Sequence, residues 1–310
     1  MGYTHGEKPS YYKSRKENVS IAAQRIKYIR QVREYRQHNR RINYQDETWA
    51  NKNMTPVNVR LDPEGKEGLK VPQGKSERCI ISRVGWSGGF VSGAKLIFRE
   101  KKSLKGSDYH TEMNAVVFVD WIEKRVPPAI PAGSVLVLGR AIYHSSLTEE
   151  SRPAKSTFTK AQFCEWPCAR GIAIAGASAV DELMQLIRIE LADTCRQHKP
   201  EPVYQAAVLT REFGCDVLFL PVGHPELNPI EMVWSQAKRY VVSNNKNLSL
   251  SEVEQLASVV LDGIDAEQWS RYTNHCIGVE ASTWRQQRKL SLSTKNNMHV
   301  QKAIVVQMTR

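Results

Sequence analysis

The chain has 310 residues, 41% of them hydrophobic, and a formal net charge of +12. That size and apolar content support a real core in one large domain or two small ones, and no run of about 18 apolar residues offers a membrane span. Residues 1–45 hold eleven Lys or Arg against three acids, a balance that suggests a polyanionic partner, DNA or RNA, or else a solvated basic arm that only aids solubility. Neither a membrane nor a small-molecule substrate is expected as a partner.

The N-terminus, "MGYTHGEKPSYYKSRK", lacks the apolar core of a secretory signal. The six cysteines (79, 164, 168, 195, 215, 276) are scattered through apparent core segments, which fits a reduced, intracellular compartment. Cys164 and Cys168 form a C-x3-C pair with no second pair at zinc spacing, so buried structural thiols are expected there.

Residues 1–17 read as disordered. From Val19 to about Gln37 a basic helix is expected, with Ile21, Ile26, Ile29 and Val32 as an imperfect apolar stripe. Together residues 1–39 form a basic arm, whose Arg33 and Arg36, with Arg40 just after it, are candidate nucleic-acid contacts. "RINYQDETW", Arg41 to Trp49, reads as a strand that puts Ile42, Tyr44 and Asp46 on one face and Asn43, Gln45 and Glu47 on the other. A polar loop follows to about Glu77.

"RCIISRVGW" and "AKLIFRE" read as strands joined through the glycine-bearing "SGGFVSG", Ser87 to Gly93, as a hairpin. No helix follows those glycines, which excludes a phosphate-cradling loop. Thr111 to Lys124 is expected to be helical, "PPAIPAGS" breaks it, and "VLVL", Val135 to Leu138, reads as a strand buried on both faces. Residues 157–200 read as mostly helical, with "ASAVDELMQLIRIELADTCRQH" the clearest piece. A strand at Asp216–Leu220 precedes helices at about 229–244, 249–262 and 266–286, and 287–310 reads as a basic, flexible tail. Three antiparallel strands followed by strands separated by helices imply an α/β mixed sheet with helices on both faces. In such sheets, sites gather where strand ends meet helix starts.

Two carboxylates are placed accordingly. Within "ELNPIEMVW", Asn228 reads as an N-cap, Pro229 as the first helical residue and Glu231 as the third, close to a capping box. Ile230, Val233, Trp234, Ala237 and Val241 form the apolar face of that helix, and Glu231, Ser235 and Lys238 a polar one. Asp46 shares a strand face with Ile42 and Tyr44, where an acid either has a partner or a metal or turns back into solvent at the strand end. Two hard carboxylates at a sheet end and a helix start suit Mg²⁺, which takes oxygen ligands and keeps several waters.

Four stretches of the chain resemble the Tc/mariner superfamily of DDE transposases: "YQDETWAN" (Tyr44–Asn51), "GSDYHTEMNAVVFVDW" (Gly106–Trp121), "VLVLGRAIYHS" (Val135–Ser145) and "LPVGHPELNPIEMVWSQAKRYV" (Leu220–Val241). The resemblance covers roughly residues 40–285 and implies a ribonuclease H-like core, with the catalytic-type domain expected over 40–286. It also implies DNA as the partner, metal-assisted strand cleavage and transfer, self-association of the transposase kind, and a nuclear location. In that family three carboxylates hold two divalent ions, Mg²⁺ or Mn²⁺. Mapped here, Asp46 is the first and Glu231 the third. The middle position, an Asp-Asn pair in the family, reads Gly139-Arg140. Asp120 and Glu149 have no evident route to the site, and Glu47 is expected on the opposite strand face. The resemblance further makes Arg140, His144, Lys238 and Arg239 candidate nucleic-acid contacts.

Gly139 and Glu231 lie 92 residues apart, farther than the last two acids of the best-known members, so about 150–212 is expected to be a helical insertion. Only 45 residues precede Asp46, where family members carry paired helix-turn-helix modules. Two functions follow: an endonuclease impaired at its middle ligand, or a degenerate or domesticated copy that binds nucleic acid without cutting it.

Overall fold

A computed structural model describes residues 19–55, 77–99, 113–174, 179–184 and 186–308. The arm at 1–17, most of the loop before Glu77 and the "GSDYHTE" half of one motif therefore lie outside the described residues. Five strands are described: β1 Ile42–Asn51, β2 Arg78–Trp86, β3 Gly89–Arg99, β4 Val135–Leu138 and β5 Asp216–Phe219. They form one sheet in the order β3-β2-β1-β4-β5. The first three are antiparallel and β1, β4 and β5 are parallel, the ribonuclease H-like arrangement.

The helices are α1 Val19–Gln37, α2 Ala115–Arg125, α3 Lys160–Cys168, α4 Val180–Leu183, α5 Arg188–Gln197, α6 Gln205–Glu212, α7 Ile230–Asn244, α8 Leu250–Asp262 and α9 Ala266–Met308. Asn114 caps α2 by accepting from the Val116 and Val117 N–H groups, which sets its start within the expected span. The chain divides into two compact units, one of residues up to His144 plus Thr210 onward, the other Ser145–Leu209.

Three expectations are corrected. The hairpin turn is only Ser87–Gly88, because Trp86 already pairs with Gly89 and the positive φ of 115° at Gly89 lets the chain reverse there. The long helix expected at 177–198 is two pieces, α4 and α5. Ile187 between them is extended, and the Glu190 carboxylate accepts from its N–H. Finally, the backbone of α9 stays helical past residue 286 to Met308, where a flexible tail was expected.

One face of the sheet packs α7, α8 and the start of α9 against Ala50, Cys79 and Ile81 through Val233, Trp234, Ala257 and Trp269. Trp269 is fully buried and meets Phe90 edge-on, with ring centroids 5.1 Å apart. A Cβ on Gly85 would lie 2.1 Å from the Trp269 ring, so that approach requires glycine. On the same face, Tyr28, Ile29 and Val32 of α1 pack on Tyr44, Val135 and Val137.

Glu280 of α9, 1% exposed, accepts two bonds from Arg36, at 2.5 and 2.8 Å. Arg36 also donates to the Tyr44 hydroxyl at 3.2 Å. Burial first, and then the Glu280 charge, push the Cys276 thiol up to about 12. This ion pair ties α1 and α9 to the first strand of the sheet.

Candidate active site

The parallel register pairs Ile42 with Val135 and Tyr44 with Val137. Continued two residues, it brings Asp46 level with Gly139, just past the end of β4. Glu231 reaches the same place from the first turn of α7. Asp46, Gly139 and Glu231 line one cleft of about 460 Å³, rimmed by Arg78, Arg140 and Lys238. The three positions singled out for the family's acids thus meet, although they lie far apart in sequence.

Asp46 is held by the Trp234 indole, whose Nε1–H donates to Oδ2 at 3.1 Å. Burial raises its carboxyl well above the usual carboxylate range, and the charges of Glu47 and Glu231 raise it further. Burial also raises Glu231, while Lys238 draws it back down. Burial, before any neighbouring charge, therefore disfavours the ionised form of both acids.

The capping expectation at α7 is overturned. No side chain caps this helix; Asn228 turns into the sheet, where its Nδ2 donates to the Gln45 carbonyl at 3.4 Å. The start of α7 is pinned to the strand that carries Asp46, and Glu231 has no capping role to explain it.

Glu47 also lines the cleft, contrary to the strand-face argument. It does point to the other face, but β4 ends at Leu138, and beyond that end no neighbouring strand separates the two faces. Its Oε1 accepts from Gln45 Nε2 at 2.7 Å and faces His144 Nε2 at 3.1 Å, and Tyr143 donates to Oε2 at 3.4 Å. The other nitrogen of His144 faces the Gly139 carbonyl at 3.0 Å. With 1% exposure and both nitrogens engaged, His144 supports the Gly139 turn.

Two arginines expected at the nucleic acid are engaged within the protein and partly exposed. Arg36 is committed to Glu280 and Tyr44. Arg40 is committed to Asp216, at 2.5 Å, and to the Gly133 and Ser134 carbonyls. Arg33 remains exposed, with its guanidinium over the Trp284 ring. Arg140 donates Nε–H to the Leu220 carbonyl and lies over Phe219, on the rim of the cleft. Lys238 sits over the exposed Trp49 ring, 5.2 Å from its centroid. Arg239 is exposed, and its Nε–H donates to the Ser235 carbonyl of its own helix.

Gly139 needs no glycine. Its φ lies outside the left-handed region, and a Cβ there would make ordinary contacts, 3.6 Å from His144 Nδ1 and 4.0 Å from Asp46 Oδ1. Two carboxylates are a donor set that suits a hard divalent cation. Among the described residues, no three His, Cys, Asp or Glu side chains stand together at ligand spacing.

Relieving the crowded charge has a measurable consequence. A carboxyl raised in the folded state leaves stability intact below its unfolded pKa and lowers it as pH rises toward the folded value. Asp46→Asn, which keeps an acceptor for Trp234, is therefore expected to stabilise the protein by about 1 kcal/mol at pH 7 and not at pH about 3. Thermal unfolding at the two pH values checks this.

No protein-family model matches the chain, and no curated protein matches it in sequence. Among solved structures it is similar to a Mos1 transposase paired-end complex with the left transposon end, at 11% identity and a TM-score of 0.48, covering 91% of this chain and 67% of that one. A Mos1 mariner paired-end complex with Mn gives 10% identity and a TM-score of 0.48, with 91% and 65% covered. The Mos1 transposase catalytic domain with raltegravir and Mg gives 10% identity and a TM-score of 0.42, with 86% and 96% covered. This chain thus spans about two thirds of the length of the chains in the paired-end complexes.

Proposed function

We propose that this chain is a DNA-acting domain of the Tc/mariner transposase type whose cleavage centre lacks its middle acid. The meeting of Asp46 and Glu231 in one cleft, level with a glycine that has room for a side chain, carries this reading. The ribonuclease H-like strand order and the "NPIE" motif support it. Asp46 and Glu231 would hold Mg²⁺ or Mn²⁺, Trp234 orients Asp46, and Arg140 and Lys238 take the phosphates at the rim. A bound pair of such ions supplies activation of water and stabilisation of the leaving oxygen. With carboxylates at only two of the family's three positions, DNA binding outlasts cleavage, which favours the binding function over the cutting one. The same reading expects self-association on DNA and a nuclear location.

The test is affinity for duplex DNA across a salt series. Arg140→Glu/Lys238→Glu is expected to weaken binding by at least about tenfold at low salt and to reduce the salt slope by about 2. Binding that both reversals leave unchanged would exclude this cleft as the DNA site.

A further inference from the structure

Between β5 and α7 lies a histidine that the reading above does not use. His224 is 3% exposed, and its Nδ1 lies 2.8 Å from Glu226 Oε1. In the neutral ring the proton then sits on Nδ1, which donates to the carboxylate, and Nε2 keeps its lone pair. That Nε2 is buried and has no hydrogen-bond partner. A buried acceptor left unsatisfied is costly, so the position calls for a ligand. His224 lines, with Asp46, Gly139 and Glu231, a second cleft of about 200 Å³. An imidazole oriented by a carboxylate, with its other nitrogen free, is the arrangement that stands behind metal-binding histidines.

We infer that His224 Nε2 is a third protein ligand of the cation held by Asp46 and Glu231, standing in for the acid that position 139 lacks. The inference rests on the reading of those two carboxylates as cation ligands. An imidazole nitrogen in the set shifts preference from Mg²⁺ toward ions that accept nitrogen, such as Mn²⁺, Co²⁺ and Zn²⁺. Among the described residues the three side chains are not gathered at ligand spacing, so the inference requires the turn that carries His224 to move when the ion binds.

The test is Mn²⁺ binding to the full chain, followed by titration calorimetry and by pulsed electron paramagnetic resonance. The expected result is a nitrogen modulation from directly bound imidazole, lost in Glu231→Gln and in His224→Gln, with Mn²⁺ affinity at least about tenfold weaker in the latter. Should His224→Gln fail to fold, the nitrogen signal of the natural chain and its loss in Glu231→Gln still decide. Mn²⁺ bound through oxygen alone, released in Glu231→Gln but unchanged in His224→Gln, overturns the inference and leaves the carboxylate site standing. Binding seen only after Gly139→Asp does the same. Binding by neither the natural chain nor Gly139→Asp overturns the carboxylate site as well.

Discussion

Glu280→Ala is expected to lower the free energy of unfolding by about 3–5 kcal/mol, the cost of removing one partner from a buried ion pair. Glu280 is almost fully buried, and Arg36 reaches it with both terminal nitrogens. Truncation leaves the guanidinium facing only the Tyr44 hydroxyl, at 3.2 Å. Against a total stability of about 5–15 kcal/mol for a typical domain, such a loss brings the fold near its limit. Glu280→Gln, which keeps the shape and one acceptor, should cost less. Urea unfolding of both variants checks the ordering, and a loss below about 1 kcal/mol for the alanine variant would show that the pair contributes little. Arg36→Ala should track Glu280→Ala in stability, because Arg36 serves the interior.

Gly139→Asp is expected to raise Mg²⁺ affinity by at least about tenfold, the scale on which ligand-shell changes act. Every local observation favours acceptance of the new side chain. The backbone there is not left-handed, a Cβ meets its neighbours at ordinary distances, and the nearest carboxylate oxygen is that of Asp46. The register of β1 and β4 turns the two positions toward one point. The cost is electrostatic: a third acid joins Asp46 and Glu231, both already raised by burial. The variant should therefore be less stable without divalent ions and regain stability when they are added. Calorimetric titration with Mg²⁺ and melting with and without the ion measure both effects.

Much of this arrangement was legible in the sequence where a period or a strong local preference governed it. Ile230, Val233, Trp234, Ala237 and Val241 repeat at helical spacing, and all five are buried. The apolar "VLVL" is a central parallel strand buried at every position. What escaped were pairings between distant segments, which leave no periodic trace. Nothing local to Arg36 points to Glu280, 244 residues on, and nothing local to Arg40 points to Asp216. Both arginines therefore read as free surface charge. Asn228 looked like a cap because local rules favour one, but its Nδ2 donates to the Gln45 carbonyl on a remote strand and its Oδ1 accepts from no helix N–H. Trp234 read as core alone, although its indole N–H also holds Asp46. Strict alternation removed Glu47 from consideration, and it failed because β4 is too short to divide the two faces at that level.

The central claim is that the cleft is a DDE-type site one acid short. Its most direct test is nicking of supercoiled plasmid with Mg²⁺ or Mn²⁺ by the natural chain, by Gly139→Asp and by Gly139→Asp/Glu231→Gln. Nicking by Gly139→Asp, at least about a hundredfold above the natural chain and lost in the double variant, is the result expected when one acid restores metal-ion catalysis. A natural chain that nicks as fast as Gly139→Asp, or a double variant that still nicks, would contradict the claim and show that cleavage does not pass through these acids.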